Sequence, residues 1–170
     1  MTALLRPPRR LERDDARDDF DSGAADLDDW FKRFAFENQQ ANNAITFVTT
    51  LDGAIMGFYS LAMASYATTS LPTSLRKNRP RETPCLLLAR LAVDRRAQGQ
   101  GVGAALLRGA IERGFRLSHE AGVAALLIHC RDDNARAFYL ANGEFQPSPL
   151  YPLHLVLSMK EIARRIRHPG

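Results

Sequence analysis

Gly99, Gly101 and Gly103 occupy alternate positions directly after an apolar run, Cys85 to Val93, and directly before Leu106, Leu107, Ala110, Ile111 and Phe115 at helical spacing. A strand, a glycine turn and a helix in that order let the main chain come close to a ligand while successive N–H groups line one concavity. Such a concavity suits a phosphate or pyrophosphate; a plain tight connection is the other reading. Two standard nucleotide motifs fail here. The Walker pattern needs a Lys followed by Ser or Thr after its last glycine, and Val102 to Ala105 offer neither. The dinucleotide fingerprint needs two residues between its second and third glycines, whereas Gly101 and Gly103 have one.

Of the four histidines, His119 falls in a helix-to-strand connection, His154 begins a strand and His168 sits in the tail, so all three read as solvated. His129, inside an apolar strand, reads as a hydrogen-bonded core residue rather than a base. Cys85 and Cys130 both lie in apolar runs and form neither a disulfide framework nor a metal set, so no metal is expected and a reducing, cytoplasmic setting is. No run approaches the ~18–20 apolar residues of a membrane span. The N-terminal MTALLRPPRRLERDD places charge where a signal peptide needs its apolar stretch.

The 170 residues carry a net charge of +4, unevenly spread. Arg76, Lys77, Arg79, Arg81, Arg90, Arg95 and Arg96 face only Glu82 and Asp94 in the same stretch, and Lys160 to Arg167 is a second basic segment. These segments suit a polyanion as well as they suit solvated loops. Arg90 inside an apolar strand is costly unless paired, so it is either salt-bridged or turned into a cleft, and the cleft is the expectation.

The elements that must position these groups are set by periodicity. Residues 8–13 make at most an edge strand. Leu27, Trp30, Phe31 and Phe34 mark an amphipathic helix from Ala24 to about Gln40, with Ser22 as a cap. Ala44 to Leu51 and Ala54 to Ser65 form a hairpin across Asp52-Gly53. Thr68 to Pro84 reads as a proline-bounded loop with a helical turn near Pro72 to Arg76. Val123 to Cys130 is a second buried strand. Asp132, Asp133 and Asn134 can cap a short helix that Gly143 ends, and Leu153 to Met159 is a last strand before a basic tail. The chain is expected to be one domain, residues 1–170, of α/β class, with a central mixed, mostly antiparallel sheet flanked by helices.

Arg96-Ala97-Gln98-Gly99-Gln100-Gly101, preceded by Leu91-Ala92-Val93-Asp94, resembles the acetyl-CoA pyrophosphate loop of the GNAT acyltransferase superfamily. Leu88 to Asp94, Gln98 to Gly103, Ala137-Phe138-Tyr139 and Pro147-Ser148-Pro149-Leu150 are similar to the TacT-type branch, toxins that N-acetylate aminoacyl-tRNA. Phe20-Asp21-Ser22-Gly23 resembles that branch's Phe-Asp-Cys-Gly, with Ser22 in place of Cys. Glu144 intervenes between Gly143 and Phe145, where the branch has Phe at once, so a bulge or a register shift is expected there.

The resemblance implies a GNAT fold and acetyl-CoA as cofactor. It implies that Leu91, Ala92 and Val93 present backbone groups to the pantetheine arm. Arg96, Gln98, Gly99, Gln100, Gly101, Val102 and Gly103 would hold the pyrophosphate, and Asn134 would turn toward the cofactor unless it only caps its helix. It implies that Tyr139, which the residues alone would leave in the core, gives its proton to the coenzyme A sulfur. The acceptor would be an α-amino group, whose pKa near ~8 lets it shed its proton without a dedicated base. Arg76, Lys77, Arg79, Arg81, Arg90 and Arg95 would contact tRNA phosphates. A small DNA-binding antitoxin and a homodimer are the expected partners. Two other functions stay open: acetylation of a small amine or a protein amino group, and a non-catalytic module that binds coenzyme A or a partner.

Overall fold

Among residues 5–167, which the computed structural model describes, the elements run β1 (Arg9–Arg10), α1 (Ala25–Arg33), α2 (Ala35–Gln40), β2 (Ile45–Leu51), β3 (Ala54–Ala67), β4 (Glu82–Val93), α3 (Val102–Leu117), β5 (Ala125–His129), α4 (Asp133–Asn142), β6 (Gln146–Pro147), β7 (His154–Ser158) and α5 (Met159–Arg167). His168 lies outside the described residues. The strands form one seven-stranded sheet in the order β1-β2-β3-β4-β5-β7-β6. β4 and β5 pair in parallel, while β1/β2, β2/β3, β5/β7 and β6/β7 are antiparallel. The chain divides into two compact units, one of residues up to Ala62 with Ala89–Ala110, the other of Met63–Leu88 with Ile111 onward.

In the first unit the hairpin turns on Asp52 and Gly53 at φ 50° and 81°, both positive as a two-residue type I′ turn requires. A register shift at Thr49/Thr50 then re-aims the strand pair. α1 buries Phe31, whose ring stacks on Phe58 at 4.2 Å, with Phe20 edge-on to both. The core there is Leu11, Phe20, Phe31, Ala35, Val48, Ile55, Phe58 and Ala92.

The single helix expected to Gln40 is two. It breaks at Phe34, at φ −121°, and Ser22 is not its cap: the N-cap is Ala24, without a side-chain hydrogen bond. The break has a tertiary cause. It aims Gln39 inward, where its Nε2 donates to the Leu11 carbonyl at 2.8 Å and its Oε1 accepts from the Thr46 amide at 3.0 Å. A buried side-chain amide thereby satisfies main-chain groups at the sheet edge.

In the second unit the core is Tyr66, Leu71, Cys85, Ala125, Leu127 and Val156, with Ala64, Leu75 and Leu87 packed against it. The loop after β3 contains two 3-10 turns, Thr68–Ser70 and Thr73–Leu75, that carry Leu71 and Leu75 onto this layer. The basic tail expected after the last strand is instead α5. Ser158 Oγ accepts from the Glu161 amide at 3.1 Å, Ile162 is buried, and Glu161 pairs with Arg164 and Arg165. The Ser-x-x-Glu spacing of a capping box is the sequence signal for it. Glu144, the extra residue before Phe145, pairs with Arg165.

Candidate active site

β4 pairs with β5 from Cys85 to Leu88, and then continues to Val93 while β5 ends at His129. In the first unit, at the end of β4, Asp94 is almost fully buried and organises the turn into the glycine loop. Its carboxylate accepts from the Arg96 amide at 2.9 Å, from the Arg96 guanidinium at 2.8 and 3.1 Å, and from the Asp21 amide at 3.0 Å. Burial alone would raise the carboxyl's pKa. The Arg96 guanidinium and the two amides outweigh it and hold the value at about 2.

The glycine loop then leaves the strand. Gly99 and Gly101 have φ of 76° and 79°, a conformation that L side chains rarely adopt, and the space their Cβ atoms would take is open. Alternating left-handed positions turn successive amides toward one side, and the loop runs into the N-terminus of the 16-residue α3. The Gln98 side chain is spent on shape: its Nε2 donates to the carbonyls of Val93 and Ser22, both at 2.9 Å. Gln100 is exposed and donates weakly to the Arg96 carbonyl, Val102 is buried, and Gly103 is half-buried in the first turn of α3. Leu91 and Val93 are half-buried and Ala92 between them is buried.

Phe20–Gly23 is fastened to this loop, a role that no periodicity reveals. Asp21 accepts from the Arg95 amide at 2.8 Å and from its guanidinium at 3.2 Å, and Gly23, at φ 92°, gives Arg95 the room a Cβ would take. Ser22 Oγ donates to Asp28 at 2.6 Å and accepts from the Ala24 amide. Asp94 is readable in the sequence only as the end of a motif; its burial makes it the organiser.

In the second unit, Asp132 caps α4 by accepting from the Ala135 amide at 2.8 Å, which leaves Asn134 exposed in the first turn and not the cap. Tyr139 is 7% exposed, edge-on to Phe138 and Phe145. Burial first, and Cys130 second, push its hydroxyl well above the ordinary phenol range, so it keeps its proton at neutral pH.

The six basic candidates fall into both units. Arg76, Lys77, Arg79 and Arg81 lie in the loop of the second, where the Nε atoms of Arg76 and Arg79 donate to the Leu71 and Leu75 carbonyls and Lys77 and Arg81 are exposed. Arg90 and Arg95 belong to the first. Arg95 pairs with Asp21, and the half-buried Arg90 sets its guanidinium 3.9 Å from the centre of the Trp30 ring. Burial lowers its pKa, against the pull of Asp26.

Two histidines differ from expectation, while His119 is exposed as expected. His129 is exposed, not a core residue, and its ring stacks on His154 at 3.9 Å, while His154 is half-buried and bonded through Nδ1 to the Tyr66 hydroxyl at 2.8 Å. Their alternation with apolar neighbours hides the pair, because cross-strand register is invisible in a single strand. Among the described residues no cluster of His, Cys, Asp or Glu could hold a metal, and no helix is long and apolar enough to cross a membrane.

The profile of the acetyltransferase (GNAT) family matches residues 8–143. The chain belongs to that family. Among individual relatives, it is 44% identical over 154 residues to the "tRNA-acetylating toxin" of Mycobacterium tuberculosis, an alignment covering 91% of this chain and 92% of that one. It is 29% identical over 154 residues to the "Probable toxin TacT" of Sinorhizobium fredii, covering 84% of each. Its fold superposes on the solved structure of "AtaT complexed with acetyl-methionyl-tRNAfMet" with a TM-score of 0.87, at 24% identity over 96% of this chain and 99% of that one.

Proposed function

We propose that this acetyltransferase moves an acetyl group from acetyl-CoA to the α-amino group of an aminoacyl-tRNA, and so acts as the translation-blocking toxin of a toxin–antitoxin pair. The observation that carries the reading is the 44% identity, across nine-tenths of the chain, to a protein named for acetylating tRNA. The donor side rests on the glycine loop. Open space where Cβ atoms would stand at Gly99 and Gly101, next to the α3 N-terminus, fits a diphosphate bridge.

Acetyl-CoA supplies an acyl group activated as a thioester. The amides of Gly99 to Gly103 bind its diphosphate, with Arg96 adding charge and Gln98 holding the loop open. Main-chain groups of Leu91 and Val93 orient the pantetheine arm and polarise the thioester carbonyl. Tyr139 would hold a proton at its hydroxyl and give it to the sulfur as the C–S bond breaks and the neutral amine nitrogen bonds the acyl carbon. The nitrogen would then shed its extra proton to water, and the phenolate would regain one from solvent. Arg76, Lys77, Arg79 and Arg81, with Arg90 and Arg95, contact phosphates without reading sequence. The protein works as a single domain in the cytoplasm, is a homodimer, and is silenced by a small DNA-binding antitoxin.

Incubation of the purified protein with acetyl-CoA and a panel of charged tRNAs yields acetyl-aminoacyl-tRNA under this reading. Turnover of polyamines or peptides but of no charged tRNA overturns it in favour of a different acceptor.

A further inference from the structure

The exposed aromatic cluster at the ends of β5 and β7 takes no part in the chemistry above. His129 and His154 are register partners, with ring planes 16° apart and centroids 3.9 Å apart. Tyr151 approaches His154 at 4.7 Å and is 48% exposed, and Tyr66 anchors His154 from the buried side. Burial, and for His154 also its neighbour His129, keeps both imidazoles below the ordinary histidine range, so near neutral pH they offer uncharged π faces.

The cluster is braced rather than loose. Ser148 Oγ donates to the Ser70 carbonyl at 2.7 Å and accepts from the Leu150 and Tyr151 amides. Arg136 Nε donates to the Pro152 carbonyl at 2.8 Å.

Its place on the sheet matters equally. Side chains alternate along strands, so His129 continues the face of Leu127, and His154 continues that of Val156. That face is the layer on which Leu71 and Leu75 pack, and those residues belong to the loop that carries Arg76, Lys77, Arg79 and Arg81. One face of one unit therefore presents stacked rings beside a run of cations, the combination that holds single-stranded nucleic acid.

We propose that His129, His154 and Tyr151 form the seat on which the terminal purine base of the tRNA 3′ end stacks, with the phosphates behind it led over the Arg76 to Arg81 loop. The proposal rests on the aminoacyl-tRNA reading and deepens it. Stacking on an aromatic side chain is sequence-tolerant, which suits an enzyme whose substrates share only their 3′ end.

The test measures binding of deacylated tRNA, with and without its 3′-terminal adenosine, to the full-length protein and its variants. Wild type is expected to lose about tenfold in affinity when the adenosine is removed. His129→Ala and Tyr151→Ala bind intact tRNA about tenfold more weakly and no longer distinguish the two tRNAs, His129→Phe behaves as wild type, and all bind acetyl-CoA normally. Equal affinity of wild type for both tRNAs, or a His129→Ala variant that still distinguishes them, overturns the seat while acetylation of charged tRNA stands. A wild type with no affinity for tRNA and no turnover of charged tRNA overturns the parent reading and the seat together.

Discussion

The Asp94 carboxylate and the Asp21 amide, 73 residues apart in sequence, meet at 3.0 Å. This bond, with the Arg95 and Gln98 contacts around it, makes Phe20–Gly23 the strap of the glycine loop. The loop's shape thus depends on a buried charge rather than on glycines alone.

Asp94→Asn keeps the size of the side chain and removes that charge. It is expected to cost about 2–3 kcal/mol in urea unfolding and to weaken acetyl-CoA binding about tenfold by calorimetry. The folded carboxyl sits at about 2 against 3.8 for the ordinary group. Its contribution, about 2 kcal/mol, is therefore fully present above about pH 4 and lost as pH falls through 2. The stability gap between wild type and Asp94→Asn should close over that window.

Gly101→Ala and Gly143→Ala separate the donor side from the acid. At Gly101 the cost is backbone strain of about 1–2 kcal/mol, and the new methyl fills the open side of the loop, so acetyl-CoA affinity should fall more than about tenfold. Gly143 ends α4 in an extended conformation at φ −159°, not a left-handed one, and is glycine for space: a Cβ would stand 2.5 Å from the Phe145 ring. That ring packs edge-on to Tyr139. Gly143→Ala should lower kcat with acetyl-CoA affinity unchanged.

Tyr139→Phe retains the ring in its buried seat and removes the proton. Steady-state kinetics should show kcat down about a hundredfold or more with KM for acetyl-CoA unchanged, and circular dichroism should show an intact fold. Because burial holds the wild-type hydroxyl above its ordinary range, its ionisation should cause no loss of rate below about pH 10.

Thr46 Oγ1 and Ser60 Oγ are buried without a hydrogen-bond partner among the described residues, on register partners of β2 and β3. Thr46→Val removes one such hydroxyl and leaves the main-chain bonds in place. It should stabilise the protein by about 1 kcal/mol and raise Tm by about 2–4 °C in a thermal melt. A lower Tm would show that the hydroxyl is satisfied after all.

Much of the fold can be read locally. Asp52-Gly53 announces its hairpin because a type I′ turn demands two positive φ angles, and alternate glycines after a buried run announce a close-approach loop. The α4 boundaries agree with capping chemistry, though Asp132 and not Asn134 does the capping. Ser22 and Gln39 escape the periodicity for different reasons: Ser22 turns its hydroxyl to the Asp28 side chain instead of capping α1, while Gln39 spends its amide on Leu11 and Thr46, which only the fold brings to it.

By itself the sequence determined the central strands, the hairpin, the glycine loop with α3, and the family likeness, since these depend on periodicity, local dihedral preference and short-range motif; the break between α1 and α2 lay beyond it. Only the tertiary structure decided that Asp94 governs the loop, that Arg90 rests on Trp30, and that His129 and His154 stack in the open. Burial, charge pairing and cross-strand register are properties of residues brought together from far apart in the chain, and no local pattern encodes them.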